Sequence, residues 1–208
     1  MRTRSPAELS RERRLDASPH LRRRRWQLGL SLVGAAAGGA VALCQMGLVK
    51  SLPDLPGKLF DATKVDASDD AYKRAQTPDA LLMLTSYATT VLLVGMGGKQ
   101  RAHDAPLVPL SFLAKAVADV AVNLKLAREE WKENKALCGY CQTATLASVV
   151  SLVLAVPEAV DAWRVLRGAA QRKRVRRAAT LLAEAARDAS RALGAGGRLG
   201  AAGQRILH

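Results

Sequence analysis

The sequence has few of the residues that bind metals, form disulfide frameworks or stack on nucleic-acid bases. Its 208 residues include three Cys, three His and only 4% aromatic residues. A structural zinc site needs four ligands, and neither Cys44 nor any histidine stands at ligand spacing from another candidate. A covalent haem site needs His directly after a CxxC motif, where this chain has Gln142. We therefore expect no metal centre and no haem.

Positive charge is abundant but is concentrated at the two ends of the chain. The net charge is +14, and 20 of the 32 Lys and Arg residues lie in residues 1–25 and 164–208. These residues are not interleaved with aromatics on a recognisable binding fold, so nucleic acid is not an expected partner. Basic segments that flank apolar runs favour the cytoplasmic side of a membrane and its anionic lipids. Membrane lipid is therefore the expected partner of both tails.

Four apolar runs lie between the basic tails. Each has roughly the 17–25 residues that a helix needs to cross a hydrocarbon core of about 30 Å. The runs are Trp26–Val49, Ala80–Gly98, Pro106–Leu126 and Leu137–Val156. A charged turn over 126–136 is expected between the last two. A cleaved signal peptide competes for the first run, but its 24 residues exceed a usual apolar signal region of about 7 to 15. We predict an all-α integral membrane four-helix bundle with a cytoplasmic C-terminal amphipathic helix.

The runs divide the chain into three parts. Residues 1–25 form a mostly unstructured basic cytoplasmic arm, and 26–163 form the four-span membrane domain. Residues 164–208 form a basic cytoplasmic tail, with a surface helix over 178–193 and a loose end from 194. The positive-inside rule places both termini in the cytoplasm of a bacterial inner membrane and loop 50–79 outside. A short helix over 66–75 is expected in that loop.

The third run carries polar residues at a spacing of four. Ser111, Lys115, Asp119 and Asn123 should share one helical face, with Lys115 and Asp119 paired. Charges are costly in hydrocarbon, so this face should turn towards the bundle interior. The stripe either holds the helices in register or lines a substrate pocket, and Asn123 should lie closest to the fourth run's outer end.

Cys138 and Cys141 open that fourth run. At i and i+3 in a helix, the two sulfurs can approach closely enough for a disulfide. The helix N-terminus would favour a thiolate at Cys138. Gln142 and Thr145 follow down the same side and are candidate lining residues of a cavity below the cysteines. The alternative is that both cysteines are simply small core residues; a thioredoxin-type motif would require a surrounding βαβ unit, which the apolar helical runs do not provide.

Between Trp26 and Trp163 the chain resembles the vitamin K epoxide reductase family. The likeness rests on four spans with Cys138-Gly-Tyr-Cys141 at the outer start of the last, and more weakly on the loop 52–60. The resemblance implies a thiol-disulfide oxidoreductase that passes electrons to a quinone, ubiquinone or menaquinone, at the outer end of the bundle. It implies that Cys141 is nearest the quinone and that Cys138 exchanges with the dithiol of an extracytoplasmic thioredoxin-fold partner. We predict that Asn123, Gln142 and Thr145 contribute to quinone binding.

One feature departs from the family pattern. Family members usually carry a shuttle cysteine pair in the loop between spans one and two, and residues 50–79 contain no cysteine. A partner thiol would then attack the Cys138–Cys141 disulfide directly. The alternative hypothesis is a non-catalytic membrane protein with a structural CxxC, whose basic tails bind lipid or a cytoplasmic partner.

Overall fold

The structure, a computed structural model, describes residues 5–54, 59–66 and 77–203. This part of the chain is helical, with one isolated parallel bridge between Phe60 and Leu137. The helices are α1 Pro6–Leu15, α2 Pro19–Gln45, α3 Ala62–Asp66, α4 Asp79–Gly95, α5 Arg101–Asp104, α6 Leu107–Asn134 and α7 Gly139–Gly203.

Three helices are long and apolar enough to cross a membrane. They are α2, α6 and the Gly139–Leu182 part of α7, while α4 is a shorter apolar helix of 17 residues. Seventeen residues are at the lower limit for a spanning helix. The prediction of an all-α membrane helix bundle is confirmed.

Side-chain contacts show that α2, α4, α6 and α7 run alternately up and down. Tyr87 of α4 packs against Gly34 of α2, where an added Cβ would overlap its ring. The α6 residue Asn123 donates a hydrogen bond to Ser148 of α7 at 3.2 Å, and Gln27 of α2 donates one to the Ser151 carbonyl at 3.3 Å. The bundle therefore has a basic end, at the start of α2, and a cysteine end, at the start of α7.

A buried ion cluster fixes the basic end. The Glu158 carboxylate of α7 accepts hydrogen bonds from Arg24 of α2 and Arg101 of α5. Arg24 also donates to the Gly98 carbonyl at 3.0 Å, and Arg101 donates to the Leu93, Val94 and Met96 carbonyls where α4 ends. Because all three charged side chains are buried, their mutual pairing is what makes the burial tolerable.

The prediction of a mostly unstructured N-terminal arm is wrong. Ser5 and Glu8 form a capping box that starts α1. Arg13 of α1 then donates hydrogen bonds to the carbonyls of Gly95 and Gly97, and Lys99 pairs with Asp16 at 2.9 Å. The arm is therefore a docked helix, because Arg13 donates to carbonyls at the basic end and Asp16 pairs with Lys99 there.

Three further boundaries differ from expectation. Helix α2 begins at Pro19, so Arg22–Arg25 are helical. Helix α6 continues to Asn134 through the segment 126–136 that we predicted to be a charged turn; it contains helix-forming Arg, Glu and Lys residues, including the i,i+4 pair Lys125–Glu129. Helix α7 continues to Gly203, so residues 194–203 are helical rather than loose.

Residues Arg164–His208 form a second compact unit, apart from Met1–Trp163. Its Arg and Lys side chains from Arg164 to Arg177 are exposed. In the outer loop, most of the predicted helix 66–75 lies outside the described residues.

Candidate redox site

The site begins at the turn between α6 and α7. Lys135 ends α6 in the left-handed conformation, with φ of 50°, and the chain then extends through Leu137, whose backbone bonds to Leu59 and Asp61. Helix α7 starts at Gly139, directly after Cys138. The amide of Cys141 donates to the Sγ of Cys138 at 3.4 Å, so the helix N-terminus faces this sulfur as expected.

Cys138 lies in an apolar cluster at the cysteine end. Its exposed fraction is 0%, and the same cluster contains Val41, Leu52, Ala62 and Val65. The loop that covers it is tied to α7 because the Tyr140 hydroxyl donates to the Pro53 carbonyl at 3.0 Å. Cys44 is half-buried and packs against the same cluster. The predicted exchange cysteine is therefore covered by the chain itself.

Cys141 instead lines a cavity of about 550 Å³ between the helices. Asn123, Gln142 and Thr145, the three predicted quinone-binding residues, line the same cavity, as does Ser148. The structure thus brings four of the five predicted site residues together around one cavity. The fifth, Cys138, is buried in the apolar cluster instead.

Hydrogen bonds within the bundle orient the polar groups of the cavity. The Tyr87 hydroxyl donates to the Ala144 carbonyl at 2.7 Å and contacts the Ser148 hydroxyl, which accepts from the Asn123 amide. The second amide hydrogen of Asn123 is not used by this contact. The Thr145 hydroxyl donates to the Cys141 carbonyl at 2.9 Å, so its oxygen can accept a further bond but its hydrogen is committed.

The predicted pair Lys115–Asp119 is present. The Lys115 ammonium bonds to Asp119, to the Ser86 hydroxyl and to the Thr90 hydroxyl, the last two at 2.8 Å. Asp119 also lines the cavity. The expectation that Ser111 joins this face is wrong, because Ser111 is exposed. With about 3.6 residues per turn, a spacing of four drifts by about 40° each time, so the stripe turns away from the interior at Ser111.

Two residues of the site were missed from the sequence. Tyr87 lies in the second predicted span, and its contacts with Ala144 and Ser148 were not predicted. Glu130 was assigned to a turn, but its carboxylate Oε2 accepts long hydrogen bonds from the Cys138 amide, at 3.4 Å, and from the Gln142 side chain, at 3.5 Å. Seven residues separate Asn123 from Glu130, which is two helical turns. Extending the Asn123 face along a longer α6 would have found it.

Comparison with known families decides the identity of the fold. Residues 25–156 match the vitamin K epoxide reductase family. The matched region is more than half of the chain and includes both cysteines of the CxxC. The chain belongs to the vitamin K epoxide reductase family. No curated protein sequence matches it. Membership makes the chain a membrane protein of a family of quinone-coupled disulfide oxidoreductases.

Proposed function

We propose that this protein is a thiol-disulfide oxidoreductase that oxidises the Cys138–Cys141 dithiol with a membrane quinone. The observation that carries the proposal is that Cys141 opens into the cavity that Asn123, Gln142 and Thr145 also line. A redox cysteine and polar side chains on the wall of one mainly apolar-walled cavity are what a quinone headgroup requires.

The residues present fit a quinone. The cavity of about 550 Å³ is within the usual range of about 300–1,000 Å³ for small-molecule sites. When bound, the quinone supplies a two-electron acceptor that takes up two protons. Asn123 has an amide hydrogen to offer a carbonyl oxygen, and Gln142 retains one besides its bond to Glu130. The Thr145 hydroxyl already donates its hydrogen to the Cys141 carbonyl, so in this site its oxygen can only accept a hydrogen bond.

The disulfide is then reduced by a dithiol partner, which we propose to be an extracytoplasmic protein of the thioredoxin fold. Exchange requires a partner thiolate to approach a sulfur in line with the disulfide bond. Because Cys138 is fully buried, this attack at Cys138 requires the cover formed by Leu52, Ala62 and Val65 to move. No loop cysteine is needed for this direct route.

The orientation follows from the charges. We propose that the basic end faces the cytoplasm of a bacterial inner membrane, with both termini there, and that the cysteine end faces outwards. The exposed Arg and Lys side chains between Arg164 and Arg177 suit contact with anionic lipid headgroups, each worth about 1 kcal/mol near a charged surface.

A direct assay tests the reaction. Purified protein in detergent receives a reducing dithiol and a short-chain quinone, and hydroquinone formation is followed optically. The Cys138→Ser and Cys141→Ser variants should lose the dithiol-dependent rate. Cys44→Ser, which changes the cysteine outside the CxxC, should keep it. Parent-like rates in either CxxC variant would refute the proposal.

The Asn123→Leu variant tests the cavity. Loss of one hydrogen bond to the headgroup should weaken quinone reduction roughly tenfold, mostly through a higher KM, with the melting temperature kept. Unchanged quinone kinetics would remove Asn123 from the site.

The complete burial of Cys138 favours one rival, a non-catalytic membrane protein with a structural CxxC. A redox titration of membranes with a mass-tagged thiol reagent separates the two. A redox pair changes its labelling with the state of the quinone pool, whereas a structural pair does not.

A further inference from the structure

Glu130 occupies a position that the family resemblance does not explain. It belongs to the last turns of α6, which end at Asn134, and the turn at Lys135 brings the start of α7 back over it. Its carboxylate then accepts from the Cys138 amide at 3.4 Å and from the Gln142 side chain at 3.5 Å. It also lines the cavity together with Cys141 and Gln142. Glu130 is thus in contact with the CxxC on one side and with the cavity on the other.

Oxidation of the buried Cys138 thiol releases a proton. Forming a bond between the sulfurs of Cys138 and Cys141 releases two electrons and two protons. The Cys138 side chain is 0% exposed and surrounded by aliphatic groups, so its proton cannot pass directly to bulk water. The Cys138 sulfur is three bonds from the amide that Glu130 holds. A carboxylate at that point can take up the proton through one water.

We propose, on the basis of the proposed function, that Glu130 is the proton acceptor of the CxxC. The dithiol becomes the disulfide and gives two electrons to one quinone, which becomes one hydroquinone. Both thiol protons end on the two hydroquinone oxygens, so that atoms and electrons balance. Glu130 accepts the proton of Cys138 as its sulfur forms the new bond. The carboxyl group then releases that proton into the cavity and returns to its charged form.

Other ionisable groups surround the same space. Besides Glu130, the ionisable groups that line the cavity are Asp79, Tyr87, Asp119, Glu129, Glu133 and Cys141. The Lys64 ammonium of α3 donates to the carbonyl of Asn134, another lining residue, at 2.9 Å. Asp104, in helix α5 at the basic end, is the charge control, because Asp104→Asn removes one negative charge at the opposite end of the bundle from the CxxC. Glu130 differs from Asp104 in accepting hydrogen bonds from the CxxC segment.

The test uses the full-length protein in detergent, with Glu130→Gln, Glu130→Asp and Asp104→Asn variants. The first readout needs no quinone: the alkylation rates of Cys138 and Cys141 by iodoacetamide are measured against pH. Removing a negative charge beside a thiol favours the thiolate, so Glu130→Gln should move the alkylation midpoint down by about one pH unit. The second readout is dithiol oxidation by a short-chain quinone, which should fall about 100-fold in the same variant.

This combination, more thiolate but slower oxidation, distinguishes a proton acceptor from a structural residue. Asp104→Asn should leave both readouts at parent values, and Glu130→Asp, which keeps a carboxylate, should recover at least about a tenth of the rate. An unmoved alkylation midpoint in Glu130→Gln, or a rate within about twofold of the parent, would overturn the assignment. If the parent protein reduces no quinone, the proposed function fails, and the alkylation profile alone decides whether Glu130 is coupled to the cysteines.

Discussion

Cys138 and Cys141 share a hydrogen bond but have different surroundings. The Cys141 amide donates to the Cys138 sulfur at 3.4 Å, yet Cys138 is fully buried in an apolar cluster while Cys141 lines the cavity. The helix start therefore separates a sulfur that meets the cavity from one that is shielded by the loop above it. This asymmetry gives the two thiols of the CxxC different access.

The first prediction concerns thiol labelling. In the reduced native protein, N-ethylmaleimide should modify Cys141 at least about tenfold faster than Cys138, because Cys138 reacts only when its cover opens. Mass spectrometry of the labelled peptides over time measures both rates in one sample. In denaturant the two rates should converge, which controls for intrinsic reactivity. Equal rates in the native protein would contradict the burial of Cys138.

The second prediction concerns the close approach of α2 and α4. A Cβ at Gly34 would overlap the ring of Tyr87, while a Cβ at Gly39, in the same helix, meets nothing within 4 Å. Gly34→Ala should lower the unfolding free energy by about 1–3 kcal/mol, since Tyr87 must shift from its bonds to Ala144 and Ser148.

Gly39→Ala is the matched control and should be neutral or stabilising by up to about 1 kcal/mol, because alanine is the better helix former. Chemical unfolding in mixed micelles compares the two. Gly34→Ala should also weaken quinone reduction, since Ser148 holds Asn123. Similar stabilities for both variants would show that the two helices do not meet at Gly34.

Patterns within single helices were sufficient to predict part of this site. The spacing of four predicted the Lys115–Asp119 pair, and the positions of Gln142 and Thr145 after Cys141 predicted that these residues line one cavity. These features depend on the helical period of α6 and of α7. The presence of Asn123 at the same cavity was predicted from its depth along the third run. The prediction for Ser111 was wrong because a spacing of four departs from the 3.6-residue turn, and the angular drift accumulates over the twelve residues from Ser111 to Asn123.

Features that depend on contacts between distant segments were not predicted. The burial of Cys138 requires Leu52 and Ala62, from the segment between α2 and α4, to lie against it, and the docking of α1 requires carbonyls about 80 residues away. Glu130 was missed because the charged residues around it in the sequence were interpreted as a turn. Burial and docking are set by tertiary packing, for which a single sequence carries little local signal.

The third prediction concerns the Lys115–Asp119 pair inside the bundle. Asp119→Leu removes the carboxylate and leaves the Lys115 charge between helices, which should cost about 3 kcal/mol of unfolding free energy. Adding Lys115→Met to that variant removes the stranded charge and should restore most of the loss. A double-mutant cycle from chemical unfolding measures the coupling. Additive losses would mean that the two side chains do not depend on each other.

The last prediction concerns the pH dependence of α1 docking. The hydrogen bond from Lys99, followed by that from the Ser18 amide, lowers the pKa of Asp16 from 3.8 to about 2. A carboxyl group whose pKa is lower in the folded state stabilises that state above its unfolded pKa, and this contribution is lost as the pH falls through the folded value. The stabilisation from Asp16 should therefore be complete above about pH 4 and disappear between pH 3.8 and about 2.

The difference in melting temperature between the parent and Asp16→Asn measures this contribution directly. It should be largest at pH 5 and approach zero near pH 2, because protonated aspartic acid and asparagine carry the same charge. Lys99→Met should shrink the same pH-dependent difference without abolishing it, since the Ser18 amide still donates to Asp16. Asp104→Asn in the neighbouring helix α5 controls for the change in net charge. A difference for Asp16→Asn that stays constant from pH 5 to pH 2 would show that the Asp16–Lys99 pair does not hold α1 against the basic end.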